Sequence, residues 1–361
     1  MTKSVRQRFA RLLSIVAMAS LASAAPSAAA NCTAQQGQSF IDAGQYDRAI
    51  REFSCVINAD RSSVEGYRGR IEAELLAGQF SNAVRDYAAT TAFVLPVHPD
   101  AESTIVAGYS ARLAVSPNNL TALIGLSFAR WWFFEYSPAI QLTDQILVLQ
   151  PDNVYGNLFN GSSRLLKGVT SVRGVAALDR ALALAPQSPD VHYIVADAYT
   201  YGQSDPQRAF DEATIALNGG LDTPRVHAIL AASYLAFGNV SAAAVEIKRH
   251  LDLVTTELVT TSPLGAGITF MIDLVPGRTF EIPLATIAGQ PLSIVTDSPT
   301  KEISDTILVL LAPDGTPVLG SDDYKKYFAG FVWTAEETGV YRLRVTSFES
   351  VNTGEFSVTR K

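Results

Sequence analysis

A frame of small and aromatic residues repeats after 34 residues, and this spacing restricts the fold more than any other feature. Gly44, Tyr46, Ala49 and Phe53 recur as Gly78, Phe80, Ala83 and Tyr87. The glycine permits a tight turn between two helices, the alanine permits their close approach, and the aromatic residues fill the space between them. Helix pairs repeated at this interval stack into a solenoid, because one pair cannot bury its apolar face alone. Such chains typically bind other molecules rather than catalyse.

The frame continues in degenerate form toward the C-terminus. Ala139 marks a third pair, Gly161 a fourth, Ala209 a fifth and Ala243 a sixth. These anchors resemble the tetratricopeptide repeat family over residues 31–253. The resemblance implies an α-solenoid of about six helix-turn-helix repeats that binds a protein or peptide partner on its concave face.

One interval between anchors is longer than the repeat. Ala83 and Ala139 are 56 residues apart, about 22 more than one repeat. Pro96 and Pro99 interrupt the chain there, and residues 101–115 have the character of a further helix. The sequence therefore predicts an irregular extra helix near 100–116, between the second and third regular pairs.

The first thirty residues have the three-part pattern of a secretory signal. A basic head with Lys3, Arg6, Arg8 and Arg11 precedes an apolar run at 12–22 and small residues up to Ala30. An uncleaved anchor is the alternative. The signal carries four of the 28 basic residues and none of the 35 acidic ones, so the mature chain has 24 against 35 and a net charge of −11. This acidic balance without a basic run disfavours nucleic acid as a partner.

Both cysteines of the chain, Cys32 and Cys55, lie in the first predicted helix pair. They fall near the start of one helix and the end of the next, so a disulfide is sterically plausible, and export supplies an oxidising compartment. Two unpaired buried thiols are the alternative, as is lipid attachment at Cys32, which the preceding Asn31 disfavours. We expect an extracytoplasmic location: periplasm, cell envelope or medium.

After a Thr/Gly/Pro-rich join at 254–265, short alternating strands separated by Gly, Asp and Pro turns predict an antiparallel β-sandwich over 266–361. We count about eight strands. The segments 305–315, 321–323, 338–345 and 354–358 resemble the bacterial pre-peptidase C-terminal domain, a jelly-roll-like sandwich appended to secreted proteins. The resemblance implies an accessory, non-catalytic module. The whole chain is thus expected to be a multi-domain α + β protein.

Residues for catalysis or cofactor binding do not form a recognisable pattern in the sequence. The histidines lie in separate units without metal-type spacing, namely His98, His192, His227 and His250. We therefore expect no enzyme activity and no cofactor. The sandwich offers possible ligands for one metal, calcium, at Asp305, Asp314, Asp322 and Asp323 on turns and strand ends. The alternative is that these carboxylates only form turns and keep edges soluble.

The first helix of each pair should line the concave side, which places a partner site there. The residues expected at the inward positions are Arg68, Glu72, Thr121, Phe128, Trp131, Trp132, Tyr155 and Tyr201. Trp, Tyr and Arg often anchor a bound peptide. The alternative for each aromatic residue is core packing, although a run of four at 131–134 cannot point inward entirely.

The sequence thus favours an exported, non-enzymatic scaffold that binds a protein or peptide. A second hypothesis is surface attachment or carbohydrate binding through the sandwich. It requires exposed aromatic residues on one sheet face, for which the candidates are Tyr324, Tyr327, Phe328, Phe331 and Trp333.

Overall fold

The computed structural model describes residues 32–61, 63–90, 99–168, 172–275, 277–298, 306–322, 328–347 and 354–361. The predicted signal at 1–30 lies outside these ranges. In the described part of the chain, thirteen helices precede nine strands. The helices are α1 Ala34–Asp42, α2 Tyr46–Ala59, α3 Val64–Ala77, α4 Phe80–Ala89, α5 Pro99–Val115, α6 Leu120–Trp132, α7 Tyr136–Leu149, α8 Val154–Leu166, α9 Val172–Leu184, α10 Pro189–Ala198, α11 Pro206–Asn218, α12 Pro224–Ala236 and α13 Val240–Val254. A π-helical turn, Tyr199–Gln203, continues α10.

The repeated glycine has the expected role at the turns of the first two pairs. Gly78 adopts a left-handed conformation with φ of +77° and ends α3, where its N–H donates to the carbonyl of Leu75 at 2.8 Å. Gly44, with φ of +69°, ends α1 in the same way through the carbonyl of Ile41. A side chain would strain this conformation, so glycine fixes the turn that separates the two helices of a pair.

Successive pairs interlock through an aromatic ring that fills the notch left by a glycine. The ring of Phe53 on α2 lies against Gly69 on α3, where an added Cβ would come within 2.1 Å of the ring. Tyr109 on α5 lies in the same way against Gly125 on α6, where an added Cβ would come within 2.0 Å of the ring. Each aromatic residue precedes its glycine by 16 residues. Helix α5 therefore packs on α6 in the way that α2 packs on α3.

The extra helix is present as α5, but α4 is the helix that departs from the regular stack. Helix α5 also contacts α3, since the Tyr109 hydroxyl donates to the carbonyl of Leu75 and Arg112 donates to that of Leu76 at 3.2 Å. Helix α4 carries the repeat frame with Phe80 and Tyr87, yet it extends to α10 and α12 instead. The stack from α3 to α6 thus runs through α5.

Two sheets form the C-terminal sandwich. The strands are β1 Glu257–Thr260, β2 Thr269–Leu274, β3 Arg278–Thr286, β4 Pro291–Asp297, β5 Thr306–Leu311, β6 Pro317–Ser321, β7 Gly330–Thr334, β8 Gly339–Ser347 and β9 Gly354–Arg360. One sheet has the order β1-β3-β8-β5-β6 and the other β2-β9-β4-β7. All pairs of neighbouring strands are antiparallel except β1 with β3. Strand β1 lies inside the stretch 254–265 that we expected to be a linker, because its β-prone Leu-Val-Thr sequence pairs with β3 directly after α13.

Alternation along the strands places one apolar row between the two sheets. Ile282, Leu310 and Leu343 from one sheet meet Ile294 and Phe356 from the other, and all five are fully buried. This core is separate from the core of the helical part, which extends from α1 to α12.

A third, small core joins the last helix pair to the sandwich within the compact unit Thr33–Lys361. Ile307, Val309 and Leu311 on the outer face of β5 pack with Ile247 and Leu251 of α13. The alternate residues of β5 face the sandwich core, so all six residues of this strand are buried. A continuous apolar strand is the pattern expected when both faces are covered.

The two cysteines, Cys32 and Cys55, are disulfide-bonded. This confirms the expected disulfide over the alternative of free thiols. Among the helices that the structure describes, none combines the length and apolar character needed to cross a bilayer.

Candidate functional site

The first helices of the later pairs form the inner wall of the solenoid. Helix α6 contacts α8, α8 contacts α10, and α10 contacts α12. We call the surface formed by α6, α8, α10 and α12 the inner groove. Its position follows from the repeat, since equivalent helices of successive pairs lie side by side.

Helix α4 lies in the inner groove and makes aromatic contacts along it. Phe80 packs edge-on against Tyr155 of α8, with ring centroids 5.6 Å apart. Tyr87, two helical turns further on, packs edge-on against Trp131 of α6 at 5.2 Å and near Tyr193 of α10 at 6.3 Å. Such ring geometries contribute about 0.5–1.5 kcal/mol each beyond the area that they bury. The groove therefore holds a helix of the same chain.

Charged groups complement these contacts at the C-terminal end of α4. The Arg225 guanidinium of α12 lies 4.2 Å from the centroid of the Tyr87 ring, and its Nε donates to the carbonyl of Thr90 at 3.1 Å. Thr90 is the C-cap of α4, where helix carbonyls lack internal donors and favour a cation. Arg225 also lies 3.9 Å from Asp197, whose pKa burial raises to about 6 against the lowering effect of Arg225.

A second charged contact lies midway along α4. Arg85 approaches Asp190 of α10 at 3.9 Å, with 42% of the Arg85 side chain exposed. The Tyr155 hydroxyl bonds to Ser81 and Asp190, and burial raises the pKa of Tyr155 to about 12. An ion pair of this length and exposure contributes little energy, so the aromatic contacts dominate the docking of α4.

The opposite face of α4 is held by a buried carboxyl pair. Arg70 of α3 donates to Asp86 through two nitrogens, one of them at 2.7 Å. Glu74 of α3 also bonds to Asp86, and burial together with the Asp86 charge raises the pKa of Glu74. Glu74 and Asp86 are both nearly inaccessible to solvent. Two hydrogen-bonded carboxyl groups in a buried site share a proton, because burial and mutual repulsion disfavour the state in which both are charged.

The structure separates the residues that we expected at the concave surface. Phe128, Trp131 and Trp132 are at most 3% exposed, which fits the alternative of core packing rather than an open surface. Trp131 packs against Phe128 and against Phe159 of α8 as well as against Tyr87 of α4, and Trp132 stacks on Phe133. The Trp131 indole N–H also donates to Ser162 at 2.8 Å.

The remaining expected residues have other surroundings. Tyr155 is half-buried under Phe80, whereas Tyr201 on the π-helical turn is 48% exposed, with Asp197, Arg225 and Asp322 as electrostatic neighbours. Thr121 is exposed at the start of α6. Glu72 is almost fully buried on α3, and this burial raises its pKa to about 7 against the opposing effect of Arg68. The expected residues therefore do not form one continuous surface.

Sequence reasoning missed the residues that hold α4. No motif marks Asp190, Tyr193, Asp197 or Arg225, and the repeat frame predicts that Tyr87 fills the space inside its own pair. The sequence does give α4 one apolar face, because Phe80, Ala83, Val84, Tyr87 and Ala88 recur at the i, i+3, i+4, i+7 and i+8 spacing of such a face. This pattern does not show which element covers that face.

The calcium candidates of the sandwich receive little support from the structure. Asp314 is an exposed turn residue whose carboxylate accepts from the N–H of Thr316 at 2.8 Å, which lowers its pKa. Asp305 and Asp323 lie outside the described residues, and the described part contains no group of three or more His, Cys, Asp or Glu residues placed to bind a metal.

The aromatic candidates of the sandwich are mainly packed inside it. Phe331 is 5% exposed, and Trp333 packs edge-on against Tyr341 at 5.1 Å. Phe328 is partly buried, and Tyr324 and Tyr327 lie outside the described residues. The described part therefore gives no exposed aromatic row for a glycan.

Three histidines are used to hold helices together, while His98 lies outside the described residues. His192 lies between Glu212 at 2.5 Å and the carbonyl of Pro186 at 3.1 Å. His227 lies between Glu246 at 2.6 Å and Asp222 at 2.8 Å. His250 contacts the carbonyl of Pro224, and burial lowers its pKa to about 4.

Comparison with known proteins gives similarity at the level of structure. No family model and no curated protein matches the chain. The solved structures that resemble its N-terminal part are mostly tetratricopeptide repeat proteins. MamA shares 19% identity, with a TM-score of 0.36, over 43% of this chain and 89% of its own. A tetratricopeptide repeat protein of Thermus thermophilus shares 16% identity, with a TM-score of 0.35, over 56% of this chain and 96% of its own.

The C-terminal part has a neighbour of its own. The pre-peptidase C-terminal domain of collagenase from Bacillus anthracis shares 13% identity, with a TM-score of 0.24. This similarity covers 29% of the present chain and 95% of that domain. Both resemblances drawn from the sequence thus recur among solved structures.

Proposed function

We propose that this protein is an exported, non-enzymatic scaffold that binds a protein or peptide partner on the concave side of its helical repeats. One observation carries the proposal: the inner groove holds a helix through aromatic contacts, an ion pair and an arginine at the helix C-terminus. These are the contacts by which a groove recognises an amphipathic helix. The groove therefore has the chemistry of a helix-binding surface.

The rigidity of the repeats supports this role. The groove helices are fixed by glycine notches and by histidine–carboxylate bonds between neighbouring helices, as at His192 and His227. A preorganised receptor loses little conformational entropy on binding, so more of the contact energy appears as affinity. The same histidines are engaged in structural bonds, which favours a binding role over a catalytic one.

The signal-like N-terminus and the disulfide-bonded cysteines support export. A disulfide is maintained outside the reducing cytoplasm. An exported scaffold would meet its partner in the periplasm, in the envelope or outside the cell.

Site-specific photo-cross-linking tests the proposal. A photoreactive residue at Tyr201, which is exposed beside the groove, should capture a partner in the native cell. The matched control replaces Val148 on α7, which is 83% exposed. The captured protein is then purified and titrated against the mature chain, with an expected Kd of micromolar or tighter. Equal capture at both positions, or no binding by the purified protein, contradicts the proposal.

A further inference from the structure

We infer that α4 is an exchangeable occupant of the inner groove, and that the partner binds by inserting an amphipathic helix with the same contact residues in its place. This inference rests on the proposed function and deepens it. It assigns the partner a chemistry, an aromatic–arginine–aromatic helix, and it gives the chain a closed state in which α4 covers the site.

The first argument is that the stack does not need α4. Helix α5 fills the notch at Gly125 with Tyr109, as α2 fills the notch at Gly69 with Phe53. The bonds from Tyr109 to Leu75 and from Arg112 to Leu76 tie α5 directly to α3. The apolar contacts that join α3 to α6 through α5 therefore remain when α4 leaves the groove.

The second argument is that the contacts of α4 specify what can replace it. Phe80 and Tyr87 are seven residues apart and lie on one face, where they meet Tyr155 and Trp131. Arg85 lies on the flank of this face, opposite Asp190. A replacing helix thus needs an aromatic residue, an arginine five residues later and a second aromatic residue two residues after that.

The groove also fixes the direction and the end of that helix. Arg225 donates to the carbonyl of Thr90, three residues after Tyr87, at the C-terminus of α4. Its cation lies where the helix dipole is negative, so a helix in the reverse orientation would bring its positive end to a buried arginine. Only one orientation is therefore favourable.

The third argument is that the groove makes few polar contacts with α4. Arg85 and Asp190 are 3.9 Å apart, which is longer than a hydrogen bond, and Arg225 donates to the carbonyl of Thr90 at 3.1 Å. The bonds from Arg70 to Asp86 join α4 to α3, which is not part of the groove. As a segment of the same chain, α4 nevertheless competes at an effective concentration on the order of millimolar. A partner with closer polar contacts and the same aromatic residues can displace it at lower concentration.

A peptide-binding experiment tests this exchange. The probe is a fluorescein-labelled peptide of residues 78–90, measured by anisotropy against the mature full-length chain. The wild-type chain should bind it weakly, because its own α4 occupies the groove. The Tyr87→Ala chain should bind it at least tenfold more tightly, since its own helix is weakened while the groove is intact. Adding Tyr155→Ala to that chain should abolish the gain.

Two controls keep the result interpretable. A probe with alanine in place of both Phe80 and Tyr87 should bind no variant. Circular dichroism and thermal unfolding check that each variant folds, and Arg85→Glu replaces Tyr87→Ala if the latter does not. Arg85 is partly exposed, and the introduced glutamate faces Asp190, so this variant weakens docking without opening a cavity.

Two outcomes overturn the inference: no peptide binding by any folded variant, or peptide binding by the Tyr87→Ala chain that is equally tight with and without Tyr155→Ala. The partner captured at Tyr201 separates this inference from the proposed function. If that partner binds the wild-type and Tyr87→Ala chains equally and excess peptide does not displace it, the scaffold function stands and the exchange of α4 is refuted.

Discussion

Gly125 reverses the usual effect of replacing glycine by alanine in a helix. Alanine normally stabilises a helix interior by up to about 1 kcal/mol. At Gly125 the added Cβ would lie 2.0 Å from the ring of Tyr109, which is fully buried and cannot move aside. We therefore expect Gly125→Ala to lower the free energy of unfolding by about 1–3 kcal/mol, as overpacking does. Urea denaturation followed by far-UV circular dichroism measures the change.

The control for this prediction lies on α5, whose glycine has more room. At Gly108 an added Cβ would lie 3.3 Å from a terminal methyl group of Leu76, which can shift. Gly108→Ala should therefore be neutral or slightly stabilising. A loss of stability at Gly108 as large as that at Gly125 would contradict the notch interpretation.

The carboxyl pair between α3 and α4 predicts a dependence of stability on pH. The raised pKa of Glu74 means that the folded protein holds this proton more tightly than the unfolded chain. The free energy of unfolding therefore falls as pH rises from the ordinary value of 4.5 through the folded pKa. Glutamine resembles the protonated acid, so Glu74→Gln should raise Tm at pH 8 by ~2 °C or more and flatten its pH dependence.

Differential scanning fluorimetry from pH 5 to pH 9 measures this effect. Glu65→Gln is the matched control, because Glu65 lies on the same helix but is exposed. The wild-type chain and the Glu65→Gln variant should lose stability in parallel over this range. If the Glu74→Gln variant follows the same curve, the shared proton is not a determinant of stability.

One helix position recurs in three consecutive units with different chemistry. Asn157, His192 and His227 are each the fourth residue of their helices α8, α10 and α12, at intervals of 35 residues. Asn157 donates to two backbone carbonyls, those of Pro151 and Asn153, both at 2.9 Å. Both histidines lie between two acceptors, and bonds to Glu212 or Glu246 help to raise their pKa despite burial.

The recurring position predicts a pH effect at His227. The protonated ring donates to Glu246 and Asp222 together, whereas the neutral ring has a single N–H. Because the folded pKa is raised, this stabilisation is complete below the ordinary value of 6.5 and is lost as pH rises through the folded pKa. We expect His227→Gln to cost about 1 kcal/mol more at pH 5.5 than at pH 9. As a control, Asn157→Ala should lower the free energy of unfolding by the same amount at both pH values, measured by urea denaturation. If His227→Gln also lowers it equally at both pH values, the prediction is contradicted.

At the level of elements, local sequence predicts the helices but not the destination of α4. The frame from Gly78 to Tyr87 correctly predicts the turn and the helix, since both depend on residues within one pair. Whether Phe80 and Tyr87 face their own pair or the groove depends on Arg225 and Asp190, which lie more than 100 residues away. The contact of Trp131 with Tyr87 could not be predicted for the same reason, although core packing was a stated alternative for Trp131.

At the level of the whole molecule, the sequence of β5 indicates where the helical part joins the sandwich, but only the structure shows which element covers its second face. The unbroken apolar run of β5 indicates a strand covered on both faces, and the second cover is α13. The third core, the bond from Arg344 to Asp252 at 3.0 Å and the contact of Gly320 with α13 join the two parts. The sandwich therefore covers the C-terminal end of the solenoid, where a repeat protein otherwise exposes apolar surface.

Gly320 tests whether this junction couples the two parts. An added Cβ there would lie 2.6 Å from Ile247 and 3.0 Å from the backbone of Ala244 on α13. We expect Gly320→Val to separate β6 from α13 and to lower the free energy of unfolding by about 1–3 kcal/mol. Unfolding should then split into two transitions, because the solenoid and the sandwich no longer stabilise each other.

Two measurements distinguish the two parts. In a Trp333→Phe background, fluorescence reports Trp131 and Trp132 of the solenoid alone, and calorimetry reports both parts. Gly265→Val, at an exposed position with 3.5 Å to its nearest neighbour, should leave a single transition. Coincident transitions in both variants would mean that the sandwich is held to the helices by contacts other than the β5–β6 face.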